Sequence, residues 1–161
     1  MKTVLRADIV NKYRSKVPFG FYGALGHRGV DLRYNYEDLP SPVTGQVVLT
    51  VRQNEMGNCL YLRDSVGTIH VFAHLDQFKK KVGDSVTRNE IIAKTGNTGS
   101  KTTSPHLHYE LLTPSPVTLM DRLMKRTLET FKGYNTDPLA YLSALYFKFH
   151  VDLDGNAITT I

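Results

Sequence analysis

Two histidines placed two residues apart carry the strongest chemical signal in this sequence. His106 and His108 flank Leu107 in the run SPHLHYE, residues 104–110, which is typical of a β-strand. Because successive strand side chains alternate between faces, both imidazoles are expected on one face, with Leu107 on the other. Two imidazoles on one face can both bind a metal, or one can bind it while the other moves protons.

Two further residues could complete a metal site with this pair. His27 and Asp31 lie four positions apart in a glycine-punctuated stretch, residues 26–31, which we expect to be a loop. Three nitrogen or oxygen ligands and one open position are the usual arrangement of catalytic zinc. His27, Asp31 and one histidine of the pair would supply that set, and a net charge of +1 would suit activation of a water molecule. At this point either His106 or His108 can be the third ligand.

Composition excludes several other kinds of site. The chain has 161 residues, which predicts one domain, and a single cysteine, Cys59. One cysteine excludes an intrachain disulfide and a cysteine-rich zinc site, so Cys59 is expected to be a small buried apolar residue. The formal net charge of +5 suits an anionic partner, such as nucleic acid, an anionic membrane or an anionic cell wall. The basic residues are scattered and do not alternate with aromatic residues, so we expect no nucleic-acid partner.

The N-terminal segment predicts neither a signal peptide nor a membrane anchor. Residues 1–13 contain charged residues throughout and lack the apolar core of a signal peptide. No apolar run approaches the roughly 18 residues that a membrane span needs. We therefore expect a soluble protein without membrane association, which is either intracellular, processed from a longer precursor or released by another route.

The hydrophobic pattern predicts a mainly β fold with an antiparallel sheet as its core. Short strands are expected at residues 43–51, 60–63, 68–75, 90–95 and 106–112, and the first 40 residues are expected to be irregular. The strands recur at a spacing of about 10–15 residues with turn residues between them, which favours antiparallel pairing over βαβ units.

The C-terminal third has a different pattern. Apolar residues recur at helical spacing from Val117 to Phe131, and Asp137-Pro138 is a good start for a short second helix. Residues 146–161 are expected to form a closing hairpin. The prediction is thus one domain, 1–161, with a core at about 18–112, small helices at about 117–145 and the terminal hairpin. We favour packing on the sheet over a substrate-groove wall as the role of the first helix.

Three segments together resemble a known family of metallopeptidases. GHRGVDL (residues 26–32), AHL (73–75) and SPHLHYEL (104–111) are similar to the motifs of the lysostaphin/LytM-type zinc endopeptidases, the M23 family. The similarity runs in the same order over about residues 18–112, and residues 137–142 resemble the usual tail. One departure is Phe72, where the family usually has tyrosine. The resemblance implies a lysostaphin/LytM-like, barrel-sandwich-like β fold.

The resemblance also implies roles for individual residues. The family's zinc ligands match His27, Asp31 and His108, with one Zn²⁺ in each chain. Its catalytic histidines match His74 and His106. Tyr22, in the pair Tyr22-Gly23, is the best match to the tyrosine that stabilises the oxyanion.

The function implied is that of a zinc endopeptidase that hydrolyses peptide bonds in peptidoglycan, either in the cross-bridge or in the stem peptide. We expect a monomer that acts at the bacterial cell wall, in the extracellular or periplasmic space or delivered by a phage.

Two alternative functions fit the sequence less well. A catalytically inactive M23-like module that only binds or regulates would be expected to lack some ligands, yet the three metal-ligand positions and both catalytic histidine positions are filled. A lipoyl or biotinyl carrier would need a lysine at a turn between strands, which residues 90–95 do not provide. His70 is expected on the same strand face as His74 but about 13 Å away, too far to share a metal. His150 is expected to face solvent.

Overall fold

The computed structural model describes residues 29–114 and 135–136 of the chain. These residues contain nine strands and no helix, and therefore no helix long and apolar enough to cross a membrane. The strands are β1 (Val30–Leu32), β2 (Asp38–Pro40), β3 (Gly45–Gln53), β4 (Gly57–Asp64), β5 (Ile69–Phe78), β6 (Ser85–Val86), β7 (Ile91–Thr95), β8 (Leu107–Leu112) and β9 (Asn135–Thr136).

All the strand pairs in the described residues are antiparallel and belong to one sheet. The main order is β1-β8-β5-β4-β3-β6, while β7 pairs with β2 and β5, and β9 pairs with β8. The predicted antiparallel β core is therefore confirmed. The helix at 117–131, the short helix from residue 137 and the terminal hairpin lie outside the described residues. Asn135–Thr136, which lie between the ends of the two expected helices, form a short strand that the sequence did not predict.

The five strands expected from the sequence are present, but the short ones were missed. β1 replaces the loop expected around Asp31, and β2 and β6 also lie where no strand was expected. Strands of two or three residues are too short to show an alternating pattern, so only their pairing partners define them. All three residues of β1 are buried because this strand pairs with β8.

The side chains of β8 alternate between the two faces of the sheet. Leu107, Tyr109 and Leu111 belong to the larger apolar cluster, where the Tyr109 ring stacks on Phe72 at a centroid distance of 5.1 Å. Alternation places His108 on the opposite face, which we call the site face. The site face is backed by a smaller apolar cluster, whose members are Met56, Cys59, Tyr61, Ile69, Val71, Ala73 and Leu112. Cys59 is fully buried there, as expected.

Strand β5 changes its pairing partner at His74. Residues Ile69 to Ala73 pair with β8, whereas Leu75 to Phe78 pair with β7. His74 itself has a φ of +59°, in the left-handed region that residues other than glycine rarely adopt. An L-residue in this conformation costs roughly 1–2 kcal/mol, so the surrounding structure must hold it there.

Candidate active site

Asp31 and His108 face each other across the β1–β8 pair. They are direct partners in the register, and His108 Nδ1 lies 3.0 Å from Asp31 Oδ1. Both residues are buried. A carboxylate and an imidazole nitrogen are thus held together by main-chain pairing between strands distant in sequence.

His106 lies immediately before β8 and is anchored to the main chain. Its backbone bridges to Gly96, at the end of β7. Its Nδ1 lies 2.8 Å from the carbonyl oxygen of Ser104, so Nδ1–H donates to that oxygen, and Thr102 Oγ1 is 3.2 Å from the same nitrogen. The neutral ring therefore carries its lone pair on Nε2, which lies 3.6 Å from Asp31 Oδ1.

His74 reaches the same place from β5. Its ring centroid is 4.7 Å from that of His106 and 6.1 Å from that of His108. Its Nδ1 lies 2.7 Å from the carbonyl oxygen of Thr98, so this ring also donates from Nδ1 and carries its lone pair on Nε2. The structure thus brings together Asp31, His74, His106 and His108, four of the six residues expected in the site.

The expectation that His70 and His74 share a strand face is wrong. His70 lies on the face opposite the site, where its Nδ1 is 2.6 Å from the Tyr109 hydroxyl and its Nε2 is 3.0 Å from Asp64 Oδ2. Simple alternation would place His74 on that face too. The left-handed backbone of His74 breaks the alternation and turns its side chain to the site face.

The three histidines with shifted pKa values differ because their partners differ. Burial lowers the pKa of His74 to about 4, only partly opposed by the hydrogen bond to the Thr98 carbonyl, and the neighbouring His106 and His108 lower it further. Burial also lowers the pKa of His70. For His108, burial acts in the same direction, but hydrogen bonds to Asp31 and Glu110 and their negative charges outweigh it and raise the pKa to about 9.

The metal-ligand set expected from the sequence is only partly within the described residues. His27 and Tyr22 lie outside them, and the residues inside them contain no group of three or more His, Cys, Asp or Glu side chains that could hold a metal ion. The pair Asp31 and His108 nevertheless fits zinc. Two ligands of tetrahedral zinc lie roughly 3.3 Å apart, close to the 3.0 Å between Asp31 Oδ1 and His108 Nδ1. A buried carboxylate and an imidazole are also donor types that zinc prefers.

Three groups that contact the histidines of the site were not predicted from the sequence. Glu110 lies on the site face, with Oε1 2.9 Å from His108 Nε2. The alternation that places His106 and His108 together also includes residue 110, so the sequence did contain this signal. The carbonyl groups of Thr98 and Ser104 carried no such signal, because any residue type supplies a carbonyl.

A family model and several curated proteins are similar to this chain in sequence. The family model described as peptidase family M23 matches residues 25–118. Among curated proteins, the peptidoglycan DD-endopeptidase ShyA of Vibrio cholerae is 37% identical over 68 residues, which are 42% of this chain and 16% of ShyA. This chain thus spans a small part of that relative.

Two solved structures share the fold. The catalytic domain of lysostaphin, an antimicrobial peptidase from Staphylococcus simulans, is 26% identical with a TM-score of 0.62, covering 82% of this chain and 89% of that domain. A zinc-containing peptidase from Vibrio cholerae is 28% identical with a TM-score of 0.50, covering 62% of this chain and 31% of that protein. The family model covers more than half of the chain, and the antiparallel fold shared with the lysostaphin catalytic domain accords with it. This chain therefore belongs to peptidase family M23.

Proposed function

We propose that this protein is a zinc-dependent endopeptidase that hydrolyses peptide bonds in bacterial peptidoglycan. The observation that carries the proposal is the convergence of Asp31, His74, His106 and His108 on one face of the sheet, from three different strands or strand ends. The named activity of the Vibrio cholerae relative supports peptidoglycan as the substrate class. The scissile bond lies in the cross-bridge or in the stem peptide.

The metal would be held by His27, Asp31 and His108, with one Zn²⁺ in each chain. The Asp31–His108 geometry and the zinc in a structural relative support this assignment. Zinc, when bound, polarises a carbonyl group and lowers the pKa of a water molecule to about 7. The other residues of the site orient the substrate and carry protons.

His106 and His74 would transfer the protons of the reaction. Because the pKa of His74 is lowered to about 4, its ring is neutral at pH 7 and can accept a proton. Both rings hold the Nδ1–H tautomer through main-chain carbonyls, so each offers Nε2 as a base without reorganisation. We assign His106 to accepting the proton of the attacking water at Nε2. That same proton would then pass through Nε2 of His74 to the leaving amine, so that both rings return to the neutral form. Tyr22 would stabilise the oxyanion.

The cell wall is the proposed place of action. Peptidoglycan lies outside the cytoplasmic membrane, and a net charge of +5 favours encounter with an anionic wall. An inactive M23-like module would bind the same polymer without cleaving it, so the two functions differ in product formation.

The substrate test is digestion of purified peptidoglycans of different cross-link chemistry by the zinc-loaded protein. Mass spectrometry of the released fragments identifies the bond that is cut. We expect new amine and carboxylate ends within the peptide portion and an intact glycan. Fragments with cut glycan, or binding to the wall without any cleavage, would contradict the proposal.

The metal assignment is tested by two variants that serve as controls for each other. His108→Ala is expected to lose zinc and activity, whereas His106→Ala is expected to keep zinc and lose activity. Zinc content is measured by elemental analysis after gel filtration. A zinc-replete, active His108→Ala protein would refute the assignment.

A further inference from the structure

Glu110 is a buried carboxylate beside the proposed zinc ligand that the reaction scheme above does not use. Its Oε1 lies 2.9 Å from His108 Nε2, while the opposite ring nitrogen, Nδ1, faces Asp31. We propose that Glu110 is a positioning residue, which holds the Nε2–H of His108 so that the Nδ1 lone pair is directed at the metal. This inference rests on the proposed zinc site.

The chemistry of imidazole makes such a partner necessary. Either ring nitrogen of histidine can bind a metal, and the hydrogen bond at the other nitrogen selects which one does. An ionised carboxylate only accepts hydrogen bonds, so when Nδ1 gives up its proton for a metal held by Asp31, Glu110 keeps His108 in the form that carries its remaining hydrogen on Nε2. That form leaves Nδ1 as the ligand atom, on the side where Asp31 lies.

The fold holds Glu110 in place for this role. It is 5% exposed and lies on β8 opposite Val71 of β5, two residues beyond His108 and therefore on the same face. The chain packs closely against it, because a Cβ added at Gly29 would lie 2.9 Å from Glu110 Cγ and 2.2 Å from the Tyr109 carbonyl oxygen. A buried carboxylate is expensive unless it is hydrogen-bonded, so its position beside a ring N–H is consistent with a specific function.

Two substitutions separate the hydrogen bond from the charge. Glu110→Gln keeps an oxygen that can accept from Nε2–H, whereas Glu110→Leu keeps a similar size and loses the acceptor. Both variants lose the same negative charge, so a difference between them reports the hydrogen bond alone. Glu90→Gln, at a partly exposed carboxylate that pairs with Lys80, controls for the loss of one charge elsewhere.

The first measurement is the zinc dissociation constant, obtained by competition with a fluorescent chelator. We expect Glu110→Leu to bind zinc about 10–100-fold more weakly than Glu110→Gln, the range typical for loss of a hydrogen-bond partner of a metal ligand. Glu90→Gln is expected to bind like the unaltered protein. If Glu110→Leu does not fold, as judged by circular dichroism, Glu110→Met replaces it.

The second measurement uses nuclear magnetic resonance of the zinc-loaded protein labelled with ¹⁵N-histidine. We expect a slowly exchanging Nε2–H proton of His108 in the unaltered protein and in Glu110→Gln, and its loss to solvent exchange in Glu110→Leu. A purely structural role for Glu110 would leave this signal unchanged wherever the fold is intact.

The outcomes distinguish this inference from the proposed function. If the unaltered protein binds no zinc, the proposed function fails. If it binds zinc and Glu110→Leu binds it as tightly as Glu110→Gln, only the positioning role fails. The positioning role is also overturned if Glu110→Gln binds zinc normally but is as inactive as Glu110→Leu, because that result would make Glu110 a proton carrier.

Discussion

The rings of His74 and His106 lie 4.7 Å apart, and each donates its Nδ1–H to a main-chain carbonyl oxygen. The two carbonyls belong to Thr98 and Ser104, in the segment that connects β7 with β8. One connection therefore sets the tautomers of both proposed catalytic histidines.

Removing the His74 imidazole without disturbing its backbone should slow turnover strongly and leave zinc binding intact. Asparagine tolerates the left-handed conformation that His74 adopts, so His74→Asn avoids the strain that most residues would add. We expect kcat to fall by about 10²–10⁴-fold, the range for loss of a general acid or base, with zinc content unchanged. Kinetics on a defined peptidoglycan peptide and elemental analysis check this. Loss of zinc in His74→Asn would show that His74 supports the metal rather than the proton transfer.

The substitution Gly99→Ala should displace the turn that carries the Thr98 carbonyl, because the added Cβ has no room. Gly99 has a φ of +96°, and a Cβ there would lie 2.4 Å from the Glu55 carbonyl oxygen and the Gly57 nitrogen. Gly83 is a matched control, with a φ of +95° and nothing within 4 Å of its added Cβ.

We expect Gly83→Ala to lose about 1–2 kcal/mol of unfolding free energy from backbone strain alone. Gly99→Ala should lose more and should also lower kcat. Urea unfolding and steady-state kinetics on both variants provide the comparison. Equal losses of stability would mean that the close contacts of Gly99 relax without consequence.

The buried pair of His70 and Asp64 predicts how stability depends on pH. Burial lowers the pKa of His70 in the folded protein below its unfolded value of about 6.5. Below pH 6.5 the unfolded chain therefore binds a proton that the folded protein excludes, so stability falls as the pH falls. The decline from this one group is at most about 1.4 kcal/mol per pH unit.

The variant His70→Gln isolates this contribution. It should be less stable than the unaltered protein at pH 7.5, because Tyr109 and Asp64 lose their shared partner. Its stability should fall less steeply between pH 6.5 and pH 5. Thermal unfolding of both proteins across this range measures the difference, and parallel curves would contradict the prediction.

Zinc binding should release a proton from His108. Asp31 and Glu110 raise the pKa of the metal-free ring to about 9, so His108 is protonated at pH 7 and must become neutral to bind zinc. Zinc affinity should therefore rise by up to about tenfold per pH unit between pH 6 and pH 8 from this group. Calorimetric titration in buffers of different ionisation enthalpy counts the protons released. A count near zero at pH 7 would contradict the assignment of His108 as a ligand.

The alternation of side chains along β8 was sufficient to predict the part of the site that this strand contributes. It placed His106 and His108 on one face, and the same rule would have included Glu110. It failed for His74, because the change of partner along β5 forces a left-handed residue that no local pattern reveals.

The neighbourhood of Asp31 was misjudged for a related reason. Three residues are too few to show a period, so a strand was taken for a glycine-rich loop. This strand is defined only by its pairing with β8, which is distant in sequence and meets it only in the folded chain. The family resemblance nevertheless predicted Asp31 and His108 as partners, because matching motifs identify equivalent residues without any need to recognise the strand that carries them.

The pairing of Asp31 with His108 joins positions that are 77 residues apart in the chain. An ion bound to both would hold β1 against β8 only in the folded protein. It would therefore stabilise the folded state by mass action, by about 2.7 kcal/mol when free zinc is 100-fold above its dissociation constant. The proposed zinc ion would then serve stability as well as chemistry, so that metal supply would set the free energy of unfolding of the domain together with its activity.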